Sequence, residues 1–331
     1  MRGGIYVRSG ADWRADFAGI NIQSFTSYAS LAQRATAIYP GAQWRADLVA
    51  QWKLFNLVVE LKHYGAGNPI DQQISVEGRT YVVPAPNGRI QRNPKSTSHP
   101  VAWSYDQVLA GQCDGLLHRL LAALRPVTDE QWVNVQLASE IDTDNEFGTS
   151  AGAAVYDKPT SDMKARAAYS YMLAWMRYPP PGIAPLSTGV TFSIGWSGAW
   201  SGFESFSRLH DDAMPVDYVQ WNVYNQNGDL PPYERLTSMV TSYRRLGPSM
   251  RTRPIIIAEW GTSAAHAGGQ APYIEAWPAA VQRVNDEQLA RGEGQIIATN
   301  YFDSGWGLLS PRPAGIEALR RAYAGPPFLE D

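Results

Sequence analysis

The sequence predicts an α/β protein, a (β/α)8 TIM barrel in one domain, and three observations predict it. Eight short runs rich in Val and Ile recur along the chain. Stretches with helical periodicity fill the gaps between them. The 331 residues suffice for a barrel of about 250 with inserted loops. Strand and helix in alternation imply parallel pairing. An open doubly wound sheet would want a glycine-rich turn after an early strand, and neither GxGxxG nor GxxxxGKS/T occurs.

The eight runs are 3–8, 19–25, 57–62, 132–138, 189–195, 217–223, 254–259 and 295–302, bounded by Gly, Pro, Asn or Asp. The clearest helix follows Ser104, where Ser104 and Gln107 make a capping box of the S-x-x-Q type. Leu109, Cys113, Leu116, Leu117, Leu120, Leu121 and Leu124 then share one face, and Pro126 ends it. Further helices are predicted at about 162–177, 233–245, 278–291 and 314–323, the last two starting beside Pro278 and Pro313. Residues 66–100 break the rhythm. Within them ISVEGRTYVV reads as a β-hairpin turning at Glu77-Gly78. Because it follows the third strand, it is expected over the carboxyl end of the barrel, as a lid, a cleft wall or a surface for assembly into a larger particle. No repeat or linker divides residues 1–331, which read as a single domain.

Composition excludes several functions. Hydrophobic residues make up 44% and charged residues 18%, with a net charge of −3 and both signs interspersed, so nucleic acid is not the expected partner. The single cysteine, Cys113, permits no internal disulfide, and its place on an apolar helix face predicts a buried, inert thiol. Five histidines without clustered spacing predict no metal site, and no cofactor is expected. No segment reaches 18 apolar residues, so no membrane span is expected. The opening MRGGIYVRSG lacks the apolar stretch of a signal peptide. In contrast, 12 Trp and 17 Tyr, many beside Gly, Asn and Ser, suit a cleft in which flat rings stack on sugars.

Two glutamates carry the chemistry. Glu140 stands just past the fourth strand in WVNVQLASE, and Glu259 closes the seventh in PIIIAE. A glutamate ending an apolar strand is costly unless it is paired or functional. Strand ends converge at the carboxyl face of a barrel, so two carboxyl groups three βα units apart can meet there. Two such groups about 5–5.5 Å apart cleave a glycosidic bond with retention.

Four stretches resemble clan A of the glycoside hydrolases, and within it family 26, best known for endo-β-1,4-mannanases. Tyr105 to Asp114 resembles the segment "YDxILAGxYD". Ala138-Ser139-Glu140 occupies the place of the acid/base motif. Val216 to Asn225 resembles the sixth strand, "VDWVGxxxYN", and Pro254 to Ser263 the nucleophile strand, "PxxIAEFGS". The resemblance implies Glu140 as acid/base and Glu259 as nucleophile. It also implies that Tyr224 hydrogen-bonds the nucleophile. The chain departs from the pattern where Ser139 replaces a His, Gln136 an Arg and Asp142 an Asn. The loop 142–148 replaces a "WYPW" stretch, which leaves Asp142, Asp144 and Glu146 as alternative proton donors.

By position, Asn222 and Asn225 are expected to bind sugar hydroxyls or to turn the chain, and Ser139 and Asp142 to line the same cleft. Trp196, Trp200, Trp260 and Trp306 are expected as sugar platforms or as packing. His63 and Tyr64 end the third strand and are expected near the sugar; Asp303 binds a hydroxyl or caps the last helix. The expected activity is retaining endo-hydrolysis of a β-linked polysaccharide, of mannan type or from a bacterial surface. Such a partner implies an extracellular or virion-associated setting. The alternative is a carbohydrate-binding or receptor-binding component on the same fold, for example of a phage tail.

Overall fold

The computed structural model describes residues 1–7, 20, 22–30, 54–63, 71–88, 101–138, 141, 158–197, 208–225, 230–263, 269–303 and 313–328. Eight parallel strands close a barrel. In chain order they are β1 (Arg2–Val7), β2 (Ser24–Ser30), β3 (Leu54–Glu60), β8 (Trp132–Leu137), β9 (Val190–Trp196), β10 (Tyr218–Asn225), β11 (Ile255–Thr262) and β12 (Ile296–Asp303). Each pairs with the next, and β12 returns to β1 with Arg2 opposite Ala298. Four short strands lie outside the barrel: β4 (Lys62–His63) pairs with β7 (Val101–Ala102), and β5 (Gln72–Val76) with β6 (Arg79–Val83).

All eight predicted strands are present, and one is displaced. The second lies at Ser24–Ser30 rather than 19–25. Ile20 and Ile22 are buried ahead of the strand, and the strand itself is SFTSYAS. Small and hydroxylated residues suit a lumen lined by polar groups, so its pattern is not the apolar one of its neighbours.

The described helices are α1 (Tyr105–Leu109), α2 (Asp114–Leu124), α3 (Lys158–Arg177), α4 (Pro232–Tyr243), α5 (Pro248–Arg251), α6 (Gln270–Leu289) and α7 (Pro313–Tyr323). The capping box forms as predicted: Gln107 N donates to Ser104 Oγ at 3.3 Å and Ser104 N to Gln107 Oε1 at 3.1 Å. The helix it starts is broken, however. It stops at Leu109, turns through Gly111 at φ 71°, and resumes at Asp114. Leu109 is therefore exposed, while Leu116, Leu117, Leu120, Leu121 and Leu124 are buried against the barrel. Each such leucine contributes about 1.5–3 kcal/mol. Cys113 is buried, and burial pushes its thiol well up from its ordinary value, so it is inert. Pro278 does not open its helix. It sits inside α6, where Trp277 and Pro278 are both buried. Pro313 does open α7.

The hairpin turns at Glu77-Gly78 with φ 47° and 79°, both positive as a two-residue type I′ turn requires. Its position corrects the expectation. It lies along α2, and its turn reaches the loops at the amino end of the barrel. Arg79 donates to the carbonyl of Pro181 at 2.6 Å, and Arg125 ties Glu77 to the carbonyl of Pro185. The close approach needs Gly115, since a Cβ there would stand 2.6 Å from Tyr81 Cβ. Buried His118 completes the clasp, with Nε2 2.9 Å from Glu77 and Nδ1 3.0 Å from Tyr81 Oη. An ionised carboxylate only accepts, so Nε2 carries the proton and Nδ1 accepts from Tyr81.

Arg125, then His118, hold the Glu77 carboxyl below its ordinary value. A carboxylate lowered by folding stabilises at neutral pH, and that contribution is lost as pH falls through its lowered range. Amide exchange across 72–83, corrected for intrinsic rates, should therefore quicken relative to the barrel strands as pH drops below about 4. In Glu77→Gln the extra quickening should vanish.

Candidate active site

Alternation along the strands divides lumen from shell. At the amino end the lumen is apolar, with Leu54, Ile256 and Ala298 packed beside Trp132 and Tyr218. The next layer is built of amides. Asn56 is its hub: Asn134 Nδ2 and Gln220 Nε2 donate to Asn56 Oδ1 at 2.7 and 2.8 Å. Asn56 Nδ2 donates to Gln136 Oε1 at 3.0 Å and Thr26 Oγ1 at 3.4 Å. Asn134 also donates to Ser193 Oγ at 2.8 Å. All of these side chains are buried. A buried amide is tolerated only when its donors and acceptors are met, and Asn56 meets all of its own.

Glu259 stands above this layer, 2% exposed. A bulge puts it there. Along β10, Trp221 pairs with Ile257 but Asn222 with Glu259; along β12, Thr299 pairs with Ile257 but Tyr301 with Trp260. Between Ile257 and Trp260, β11 thus carries one residue more than either neighbour, at Ala258. Ile256 faces the lumen and Ile257 the helices; the extra residue returns Glu259 to the lumen and Trp260 to the helices. Tyr28 Oη, from β2, donates to Glu259 Oε1. Asn222 lies directly opposite Glu259 on β10. Two pairs further, Tyr224 stands opposite Gly261, and half-buried Tyr224 and Phe302 meet edge to face, centroids 5.5 Å apart. Glu259 therefore lies at the carboxyl end of the lumen, among Tyr28, Asn222, Tyr224 and Phe302.

The strand leading to the other glutamate is also irregular. Ala138, two residues before Glu140 in sequence, has φ 60°, and Gln136 Nε2 donates to its carbonyl at 3.0 Å. A left-handed alanine costs of order 1 kcal/mol and persists only where its surroundings enforce it.

The predicted site residues separate into groups. Glu259, Asn222 and Tyr224 share the lumen. Trp260 does not: it is fully buried, stacked on Trp277 of α6 at 4.0 Å and edge-on to Tyr301. Trp196 is 1% exposed and packs on Trp221, its neighbour in the shell. Both pack in the shell, at strand positions that point away from the lumen. Asn225 closes a turn; its Nδ2 donates to the carbonyl of Leu230 at 2.8 Å. His63 and Asp303 lie in β4 and β12, with side chains outside those described. Ser139, Glu140, Asp142, Asp144, Glu146, Tyr64, Trp200 and Trp306 lie outside the described residues. Among the described residues no cluster of His, Cys, Asp or Glu is arranged to hold a metal ion, and no helix is long and apolar enough to cross a membrane.

Two residues escaped the sequence. Tyr28 was hidden because its strand was placed five residues too early. Glu60, 7% exposed at the end of β3, shares the lumen face of Asn56 by alternation. Its signal was present, since LVVE closes an apolar run just as IIIAE does.

No protein-family model matches the sequence, and no curated protein matches it. Solved structures do. A modular endo-β-1,4-mannanase of glycoside hydrolase family 26 from Cellulomonas fimi superposes with TM-score 0.57 at 14% identity, over 99% of this chain and 71% of that one. A family 26 β-mannanase from Bacteroides ovatus gives 0.57 at 11%, over 98% and 89%. The GH26-CBM35 β-(1,4)-mannanase of Podospora anserina gives 0.51 at 11%; it is matched over 98% of this chain, which spans 61% of its length. This chain has the fold of these glycoside hydrolases. At such identities the likeness is one of fold.

The amide layer makes a testable demand. Asn56→Ala strands partners on three other strands, so it should lower the unfolding free energy by roughly 3 kcal/mol in urea titration. Asn225→Ala, which releases the loop at Leu230 and one long contact to Thr262, should cost less, about 1 kcal/mol.

Proposed function

We propose that the protein is a retaining glycoside hydrolase that cleaves a β-linked polysaccharide within the chain. The observation that carries this reading is Glu259, turned by a bulge into the carboxyl end of the lumen and hydrogen-bonded there by Tyr28. A buried carboxylate at the carboxyl end of a barrel lumen is a functional candidate. The resemblance at 138–140 and 254–263 and the shared fold support Glu140 as its counterpart.

In this reading Glu140 gives its proton to the glycosidic oxygen as the bond to the anomeric carbon breaks. Glu259 attacks that carbon and forms a glycosyl ester. Glu140, now ionised, takes a proton from water; the hydroxide attacks the same carbon and frees Glu259. Tyr28 aims the carboxylate, and Tyr224 with Phe302 offers an aromatic wall. The acid/base role rests on Glu140, with Asp142, Asp144 and Glu146 as its alternatives. The solved relatives named for activity on β-mannan make a mannan-type glycan the first substrate to try, followed by bacterial surface glycans.

Reducing-sugar release from mannans, xylans, β-glucans and bacterial surface polysaccharides tests this. Activity on one polymer should fall roughly 10³-fold or more in Glu259→Ala, and about 10²–10⁴-fold in Glu140→Ala. Proton NMR of the first product should show the β anomer; the α anomer would reject retention. Tyr28→Phe should lower kcat about 10- to 100-fold, the roughly 1.5–3 kcal/mol of a hydrogen bond to a charged group. Glycan binding without turnover would instead favour a non-catalytic role.

A further inference from the structure

The bulge that aims Glu259 has a holder of its own. Thr26 Oγ1 donates to the carbonyl of Ala258, the extra residue of β11, at 3.0 Å. The contact is not one between neighbours, because β1 and β12 stand between β2 and β11 in the barrel. Thr26 reaches it through the lumen, where it is buried. A hydroxyl has one proton and two lone pairs. Asn300 Nδ2 donates to Thr26 Oγ1 at 2.7 Å and Asn56 Nδ2 at 3.4 Å. Both are donors only, so they occupy the acceptor side and leave the proton for Ala258. Two residues further along the same face of β2, Tyr28 donates to the carboxylate itself. One strand thus grips both the peptide before Glu259 and the side chain of Glu259.

We infer that Thr26 is a positioning residue for Glu259, fixing the bulge that points its carboxylate at Tyr28 and into the cleft, with Asn300 setting the direction of its hydroxyl. A bulge leaves one residue without its ladder partners, so its carbonyl can turn. Without Thr26 that carbonyl has lost a donor in a buried site, and the peptide is free to rotate in search of one. A shift of about 1 Å in a reacting group can cost on the order of 10²-fold in rate. The inference rests on Glu259 as nucleophile only in its kinetic consequence; its geometric consequence stands apart.

The test uses the full chain and two readouts. First, the Tyr28 hydroxyl proton, identified by its loss in Tyr28→Phe, is followed by proton NMR. Thr26→Val, nearly the same shape without the hydroxyl, should move that resonance upfield and speed its exchange, while Thr26→Ser should restore it. Second, on whichever glycan the protein cleaves, Thr26→Val should lower kcat about 10- to 100-fold with KM within about twofold. Thr26→Ser should recover most of the rate. A resonance unchanged in Thr26→Val overturns the inference whatever the activity. A rate lost in Glu259→Ala but kept in Thr26→Val also overturns it. Full activity in Glu259→Ala with a shifted resonance would reject the nucleophile and leave the latch standing. Should Thr26→Val fail to fold, Asn300→Ala keeps the threonine but frees its hydroxyl to turn; it should give a smaller change in the same direction, and no change would overturn the inference.

Discussion

One extra residue in β11 decides what the lumen of this barrel contains. Side chains on a strand alternate, and Ile256 faces inward. Without the bulge, Ala258 would face the lumen and Glu259 would enter the layer between strands and helices. That layer holds Trp260, Trp277 and Tyr301 in close ring contact. A carboxylate placed there would be desolvated among aromatic rings. The bulge exchanges the two fates: the indole goes to the shell, where its area stabilises the packing of α6, and the carboxylate goes to the lumen, where hydroxyls and amides await it.

The lumen below is matched to that carboxylate. A barrel interior is commonly filled with branched aliphatic side chains. Here the amino end is, around Leu54, Ile256 and Ala298. Above them the fill changes to Asn56, Asn134, Gln220 and Asn300, joined across strands. Neutral amides bring dipoles without charge to this part of the lumen. They also couple the strands. A bond from β2 to β11, or from β10 to β3, resists the relative sliding that a purely apolar lumen would permit. The network therefore joins fold stability to the placement of Glu259, and the same threonine serves both.

The insertion between β3 and β8 follows a different logic. Its hairpin lies away from the carboxyl end of the barrel. It lies on α2 and pins its turn beneath the barrel with Arg79, Glu77 and His118. Gly115 and the positive φ of Glu77-Gly78 are the local conditions for that packing. The hairpin thus reinforces the helix that leads into β8, the strand preceding Glu140 in sequence.

Much of this was legible along the chain, because its cause is local. Apolar runs bounded by Gly and Pro placed seven of the eight strands and implied their parallel order. Ser104 with Gln107 fixed a helix start, and Glu77-Gly78 fixed a turn type, since each depends on a few adjacent residues. A glutamate ending PIIIAE announced itself by its cost. What the sequence left open depends on which way a side chain points once the strands pair. Trp260 and Glu259 are adjacent, yet one belongs to the shell and the other to the lumen, and only the register of β10, β11 and β12 separates them. Tyr28 joins the site across 231 residues, from a strand whose small polar residues carry no apolar signal. Local preference set the elements of this protein; closure of the barrel, which brings distant strands to face one another, chose the residues of its site.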